Sequence, residues 1–487
     1  MRKQILLPVL LQLGLVGTAA AQEKWGLQRC VEYAWANNIT IKQSTIDKEI
    51  ADVDLKQSKW QQYPGVDFNT STGVQWGRSI DRTTNVYTNV SNVFQSFNAS
   101  AGVTVFNWLR IKNNILATRQ LNSAAQMDVE KSKNDVALNV ATYFLQVLLA
   151  RKQMEITRVT MEQTKSQIDF TRKRVEAGTV PELDALTLEG QYATDSSAYI
   201  GAMANIDQAM LTLKVALNID AGAPFDIENP AVEDIPVDPI LQLQPESVFN
   251  IATKSQPAQK AIAFRIQSME TSLKVARAAT YPTISVFGGL GTNFASPTKT
   301  VVGDPVLAGA DLIGYAQQSP TVTYPVYVPR FTQATGRKSF GDIWSGWGSQ
   351  LNNNFGQNLG FQIAVPILSG GQARFNYQRA KLNLKGAQVT KELIDQTLKN
   401  DIYKAYYSAS AALQKLNASK KSVEINQRTF DFANKRYEVG LLNPYELLIT
   451  QNNLNRAKVD KASAEFDYVF KMKVLEFYKG EGIRLTK

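Results

Sequence analysis

The 487-residue sequence contains no histidine and a single cysteine, Cys30. The first absence removes the commonest metal ligand and the only side chain that titrates unperturbed between about pH 5 and 8. Zinc sites built on histidine, Ser-His-Asp triads and Cys-His pairs go with it. The second excludes an intrachain disulfide, so stability comes from packing or assembly. No glycine-rich loop of the GxxxxGK[ST] type occurs, and any energy for work must come from elsewhere. Carboxylates are plentiful, but spacing singles out no pair, so neither an enzyme nor a cofactor or metal is expected. The net charge is +10, yet it is spread out, with no basic run interleaved with aromatics, which argues against nucleic acid. With 44% hydrophobic and 20% charged residues the chain is neither disordered nor lipid-soluble throughout.

At the start, Arg2 and Lys3 precede an apolar run over 5–16 and then Ala19-Ala20-Ala21. That order reads as a secretory signal, residues 1–21, cleaved after Ala21. The run falls short of the roughly 20 residues that a spanning helix needs.

The remainder is written twice. Asp169, Phe170, Lys173, Arg174, Glu176 and Gly178 recur 262 residues later as Asp431, Phe432, Lys435, Arg436, Glu438 and Gly440. Upstream the offset falls to 218, where Tyr63-Pro64 matches Tyr281-Pro282 and Ala34 matches Ala252. The difference implies an insertion in the second half, read as a loop over about 295–357, rich in Gly, Pro, Ser, Thr and Asn. The first repeat covers 22–218 and the second 247–487. Between them, 219–246 carries five prolines and no Lys or Arg, the pattern of an extended acidic linker or strap.

From Leu109 to Val175 no proline interrupts a seven-residue spacing through Val140, Val147, Met154, Met161, Ile168 and Val175. Ile402, Ala409, Leu416, Val423, Phe430 and Tyr437 hold the same register in the second half. Such a seam implies helices coiled left-handedly on their neighbours. Each run stops at a glycine, Gly178 or Gly440, and passes a proline, Pro181 or Pro444, into a further helix of about 35 residues, giving two long antiparallel hairpins. Shorter helices are expected over about 27–58 and 245–277.

Strands announce themselves by alternation. Val66, Phe68, Thr70, Thr72, Val74 and Trp76 share one parity, as do Phe97, Ala99, Ala101, Val103 and Val105, then Ile284, Val286 and Leu290, and finally Leu359, Phe361, Ile363, Val365 and Ile367. Four strands of about ten residues fit either the staves of a membrane barrel or one face of a soluble sandwich. Four cannot close a barrel and lipid tolerates no open edge, so a barrel would need several copies; three give twelve strands.

The two tips, Lys173-Arg174-Val175-Glu176-Ala177-Gly178 and Lys435-Arg436-Tyr437-Glu438-Val439-Gly440-Leu441, with Tyr63-Pro64, Tyr281-Pro282 and Leu368-Ser369-Gly370-Gly371, carry a resemblance. Over its mature length the chain resembles the TolC-like outer-membrane efflux family. The resemblance implies a mixed α and β homotrimer, with a 12-stranded barrel in outer-membrane lipid and a periplasmic coiled-coil tunnel. It also implies two partners, a periplasmic adaptor and an inner-membrane transporter. The family's acidic gate position falls on Asp184 and Glu446, and Tyr437 matches a tyrosine that can bond to Asp184. A second acidic position is Ile449 here and an arginine is Leu442, so part of that lock is missing. Read without the family, Asp184 and Glu446 are solvated helix-start carboxylates, Tyr437 packs in the seam, and Arg174 and Arg436 cap their own helices. Arg174, Gly178, Arg436, Gly440 and Leu441 are the candidate adaptor contacts. A structural coiled-coil protein of the cell envelope is the rival reading; it accounts for the heptads and not for the strands.

Overall fold

The computed structural model describes residues 24–80, 87–230, 235–236 and 238–480. The signal segment 1–21 lies outside the described residues, as do part of the 219–246 segment and the residues after 480. The chain divides into two compact units.

The first unit, within 24–55, 116–270 and 381–480, is helical. Helices α1 (Leu27–Asn37) and α2 (Ile39–Trp60) lead to α3 (Arg110–Glu176) and α4 (Glu182–Leu217). Helices α5 (Pro245–Ser255) and α6 (Pro257–Ala278) lead in the same way to α9 (Gln372–Glu438) and α10 (Pro444–Lys479). The two series match in length: 11, 22, 67 and 36 residues in each. The single helix expected over 27–58 breaks at Asn38, an extended residue whose side chain accepts from the Thr40 N–H and donates to the Ala216 carbonyl.

The seam is buried where it meets neighbours. Val140 and Val147 of α3 pack with Cys30 and Ala34 of α1 and Leu213 and Leu217 of α4, all nearly inaccessible. Ile402 and Ala409 of α9 do the same with Ala252 of α5 and Met472 and Leu475 of α10. No helix among the described residues is long and apolar enough to cross a membrane.

The acidic segment lies against the helices as a strap. Ile227, Ile235 and Leu243 are buried, and Trp25 exchanges backbone hydrogen bonds with Asp226 and Glu228 (both 3.1 Å). Arg151 pairs with Asp226 and donates to the Ile227 carbonyl, and Lys479 pairs with Asp238. The strap needs no basic residue of its own because the helices supply them.

The second unit, 56–115 and 271–380, is the sheet. Strands β1 (Gly65–Ile80), β2 (Tyr87–Phe106), β3 (Thr283–Pro297) and β6 (Gly356–Ala364) form one antiparallel sheet in the order β1-β2-β3-β6. Three of them run past ten residues, to 16, 20 and 15. The segment expected as a loop over 295–357 is regular instead. It folds as a two-stranded ribbon of β4 (Lys299–Ser319) and β5 (Val322–Arg337), followed by short helices α7 (Phe340–Ile343) and α8 (Trp347–Asn353). Gly303, Pro305, Gly309, Gly314, Pro325 and Pro329 sit within these two strands, whose pairing shifts register four times, which is how such a ladder absorbs them.

Candidate functional site

Both hairpins turn on the same backbone device. At the first tip Gly178 takes φ +74°, its N–H bonds to the Val175 carbonyl (2.9 Å) and the Thr179 N–H bonds to the Arg174 carbonyl (2.9 Å). At the second, Gly440 takes φ +78°, with Gly440 to Tyr437 at 3.0 Å and Leu441 to Arg436 at 2.8 Å. This is the Schellman closure, which requires a left-handed residue and so favours glycine. Backbone groups cap these helices, so the arginines are released from that duty.

Arg174 is used across the hairpins. Its Nη1 donates to the Tyr437 carbonyl (3.2 Å), its guanidinium lies over the Phe170 ring, and a Cβ placed on Gly440 would meet its Nη2 at 3.0 Å. The expectation that Arg174 caps its own helix is corrected accordingly. Arg436 is exposed, as is Leu441.

Tyr437 is buried, and its hydroxyl meets Thr171 Oγ1 on the first hairpin rather than Asp184. The Thr171 proton is taken by the Gln167 carbonyl (2.8 Å), so the phenol is the donor of that pair. Thr171 lies on α3, two turns before Gly178, level with the phenol of the facing helix; Asp184 starts α4, where its N–H bonds to Pro181 O (3.1 Å). Asp184 still acts through space. Burial pushes the Tyr437 phenol above its ordinary value near 10 and the Asp184 charge adds to the rise; the Arg174 charge, and the Thr171 hydroxyl once it turns from Gln167 to donate to a phenolate, pull it back.

Glu446 is exposed and engaged at the start of α10. Its N–H donates to Asn443 Oδ1 (2.8 Å), and Asn443 Nδ2 donates to Glu446 Oε1 (3.3 Å). It therefore completes a reciprocal N-cap, which also suits the helix dipole.

One heptad before Thr171 lies a polar cluster that the sequence reading missed. Thr164, fully buried, donates to Asp195 Oδ2 of α4 (2.6 Å) and accepts from Gln451 Nε2 of α10 (3.1 Å); Gln191 donates to Asp195 Oδ1 (2.8 Å). The two hairpins are thus tied at two levels, Thr171 to Tyr437 and Thr164 to Gln451. A signal was available, since Thr157, Thr164 and Thr171 repeat at the heptad spacing.

The sheet presents a second surface. In the observed register Val66, Phe68 and Trp76 of β1, Ala99 of β2, Leu290 of β3 and Leu359, Phe361 and Ile363 of β6 share one face. Phe361 and Trp76 are each 74% exposed and Leu359 84%. Asn69, Ser71, Ser96 and Asn98 occupy the other face, with Ser71 and Ser96 hydroxyls 2.7 Å apart. Aromatic rings lie at one end of the apolar face, Trp60 with Tyr63 and Trp108 with Phe106 and Tyr281, and Trp76 lies toward the other. Between them the α7–α8 segment covers part of the face: Trp347 sits on Phe97, level with Thr70 and Thr292, and Trp344 stacks on the fully buried Phe294.

The comparisons agree with this geometry. The family model described as outer membrane efflux protein matches residues 31–218 and 343–475. Outer membrane protein TolC of Escherichia coli (strain K12) is 23% identical over 95% of this chain and 84% of its own length. Toxin and drug export protein A of Aggregatibacter actinomycetemcomitans is 19% identical over 91% of this chain and 83% of its own. Among solved structures, CusC, described in connection with transmembrane channel formation, superposes with a TM-score of 0.71 at 16% identity, over 95% of this chain and 93% of its own. With a family model matching well over half its length, the chain belongs to the outer membrane efflux protein family, TolC-like in kind and at home in the outer membrane.

Proposed function

We propose that the protein is the passive exit duct of a tripartite efflux or export system, conducting substrate from an inner-membrane transporter and a periplasmic adaptor to the cell exterior. In this reading it works as a homotrimer. Three sheets close a twelve-stranded barrel in the outer membrane, and the hairpins of three copies form a tunnel in the periplasm.

One observation carries the reading: a four-stranded antiparallel sheet with both edges open, its apolar face exposed along the two edge strands at Val66, Phe68, Trp76, Leu359, Phe361 and Ile363, with Trp60, Tyr63 and Trp108 at one end and Trp76 toward the other. Open edges are not tolerated in lipid, and aromatic girdles mark the two interfaces of a barrel. From Val66 to Trp76 the strand rises roughly 33 Å; at the usual tilt that leaves about 25 Å, the height of an outer-membrane apolar band. The helices support the same assembly. Ile39, Ile46 and Val53 on α2, and Ile425 and Phe432 on α9 with Val439 just after its end, repeat at heptad spacing and are each more than half exposed, which fits seams awaiting a second copy.

The tips are the gate and the dock. Tyr437 with Thr171, and Arg174 with the Tyr437 carbonyl, hold each pair of hairpins together; Asp184 and Glu446 supply carboxylates that, in three copies, favour cations at the entrance. Gly178, Gly440, Leu441, Arg174 and Arg436 form the adaptor contact, beside the exposed Leu183 and Val439.

Single-channel conductance in a planar bilayer tests the reading. Cation-selective steps are expected, larger or more frequent after Tyr437→Phe. Protein that has inserted and gives no steps in either form would overturn it.

A further inference from the structure

The β4–β5 ribbon is unexplained by the duct. It grows directly out of the sheet: Thr298, between β3 and β4, donates its N–H and hydroxyl to the Ser91 carbonyl (2.8 and 3.0 Å), and the Lys338 N–H bonds to the Thr298 carbonyl (3.0 Å). Both of its faces are bare. Tyr324 and Val326 on one face and Tyr315, Tyr327 and Phe331 on the other are exposed. From Leu312 to Pro329 there is no charged residue at all, and nearer the base Asp311 and Arg330 pair with each other. An isolated two-stranded ribbon is at best marginally stable in water, and an uncharged aromatic one is an adhesive surface.

Its edges are poor templates for another strand. Pro325 and Pro329 share a parity in β5, so both withhold an N–H from the same edge, and four register shifts interrupt the outline of β4. Contact through the faces is what remains. The ribbon's root points to the occupant, because it continues the very sheet whose open edges call for further copies of this chain. Equivalent strands of neighbouring four-stranded repeats stand about 20 Å apart along a barrel rim, whereas a strand of 16 residues reaches roughly 50 Å. Three ribbons rooted on one rim can therefore meet. Like charges do not oppose them, since the meeting halves carry none.

We propose that the distal halves of the ribbons, from three copies of the chain, pack on one another face to face above the barrel mouth as an outer closure. This rests on the trimeric-duct reading. The test uses the full-length chain with Val326→Cys or Tyr327→Cys, one for each face, treated with a short bis-maleimide. Native Cys30 is fully buried and its thiol pushed up to about 12, so it stays silent. Covalent dimers on a denaturing gel are expected from at least one of these positions, the limit for one reactive thiol per chain, and none from Thr300→Cys at the base. A sample that runs as a trimer on size exclusion, with both distal cysteines uncrosslinked, overturns the closure and leaves the duct standing. A sample that is monomeric overturns both.

Discussion

Thr171 and Tyr437, 266 residues apart in the chain, meet hydroxyl to hydroxyl in the buried interface between the two hairpins. Neither group is a charge, so the contact is insensitive to salt, and it sits one heptad from a second tie, Thr164 to Gln451. The tips are joined by neutral hydrogen bonds where an acid–phenol pair was expected.

Removing the phenol is therefore expected to loosen the proposed gate. Tyr437→Phe forfeits one hydrogen bond of about 0.5–1.5 kcal/mol per copy and leaves Thr171 satisfied by the Gln167 carbonyl. An opening equilibrium shifted roughly fivefold per copy is expected, read as increased open probability in bilayers. Thr171→Val produces the same phenotype. Asp184→Ala, lacking that bond, leaves open probability near wild type and lowers cation selectivity instead.

Alkaline pH acts at the same place. The Tyr437 phenol is raised above its ordinary value near 10, chiefly by burial, so the folded tip holds its proton more tightly than the unfolded chain does. Its stabilising contribution is complete below about pH 10 and is lost as pH rises through the higher folded value. Open probability is expected to climb above that point in wild type and to stay flat in Tyr437→Phe.

The buried cluster separates two kinds of loss. Asp195→Ala strips an acceptor from both Thr164 and Gln191 and is expected to lower stability by about 1–3 kcal/mol. Gln451→Leu removes a side chain whose Oε1 has no partner among the described residues. It is expected to leave the thermal midpoint nearly unchanged while raising open probability.

How much of this could be read in the sequence depends on what each pattern encodes. Hairpin ends were legible because Gly178 and Gly440 must be left-handed, and helix lengths because the seam runs unbroken to them. The ribbon was not, since Val322, Tyr324, Val326 and Val328 on one face answer Pro325, Tyr327 and Phe331 on the other, and a strand apolar on both sides shows no alternation. Partner choice at the tip was also hidden: a matched position says that Tyr437 faces the first hairpin, and only packing decides that Thr171 receives it.

A strained pair offers a stability test. Trp108 and Leu109 are left-handed (φ 54° and 61°) at the entry to α3, where Gly370 and Gly371 (φ 58° and 75°) serve α9. Leu109 is 59% exposed, so Leu109→Gly sheds a conformational cost of about 1–2 kcal/mol, less the entropy that glycine adds to the unfolded chain. A gain of about 0.5–1 kcal/mol in thermal unfolding is expected. Trp108→Gly is expected to destabilise, since it abandons the rings of Phe106 and Tyr281.

The equal lengths of α3 and α9, and of α4 and α10, make the molecule's reach a shared quantity. One residue added to a single hairpin would turn every later side chain by about 100° and push that tip about 1.5 Å out of level with its twin. Thr171 would then face past Tyr437. Substitutions can accumulate in either half independently, but a change of span has to arrive in both at once and in whole heptads, so the two hairpins can lengthen or shorten only as a matched pair.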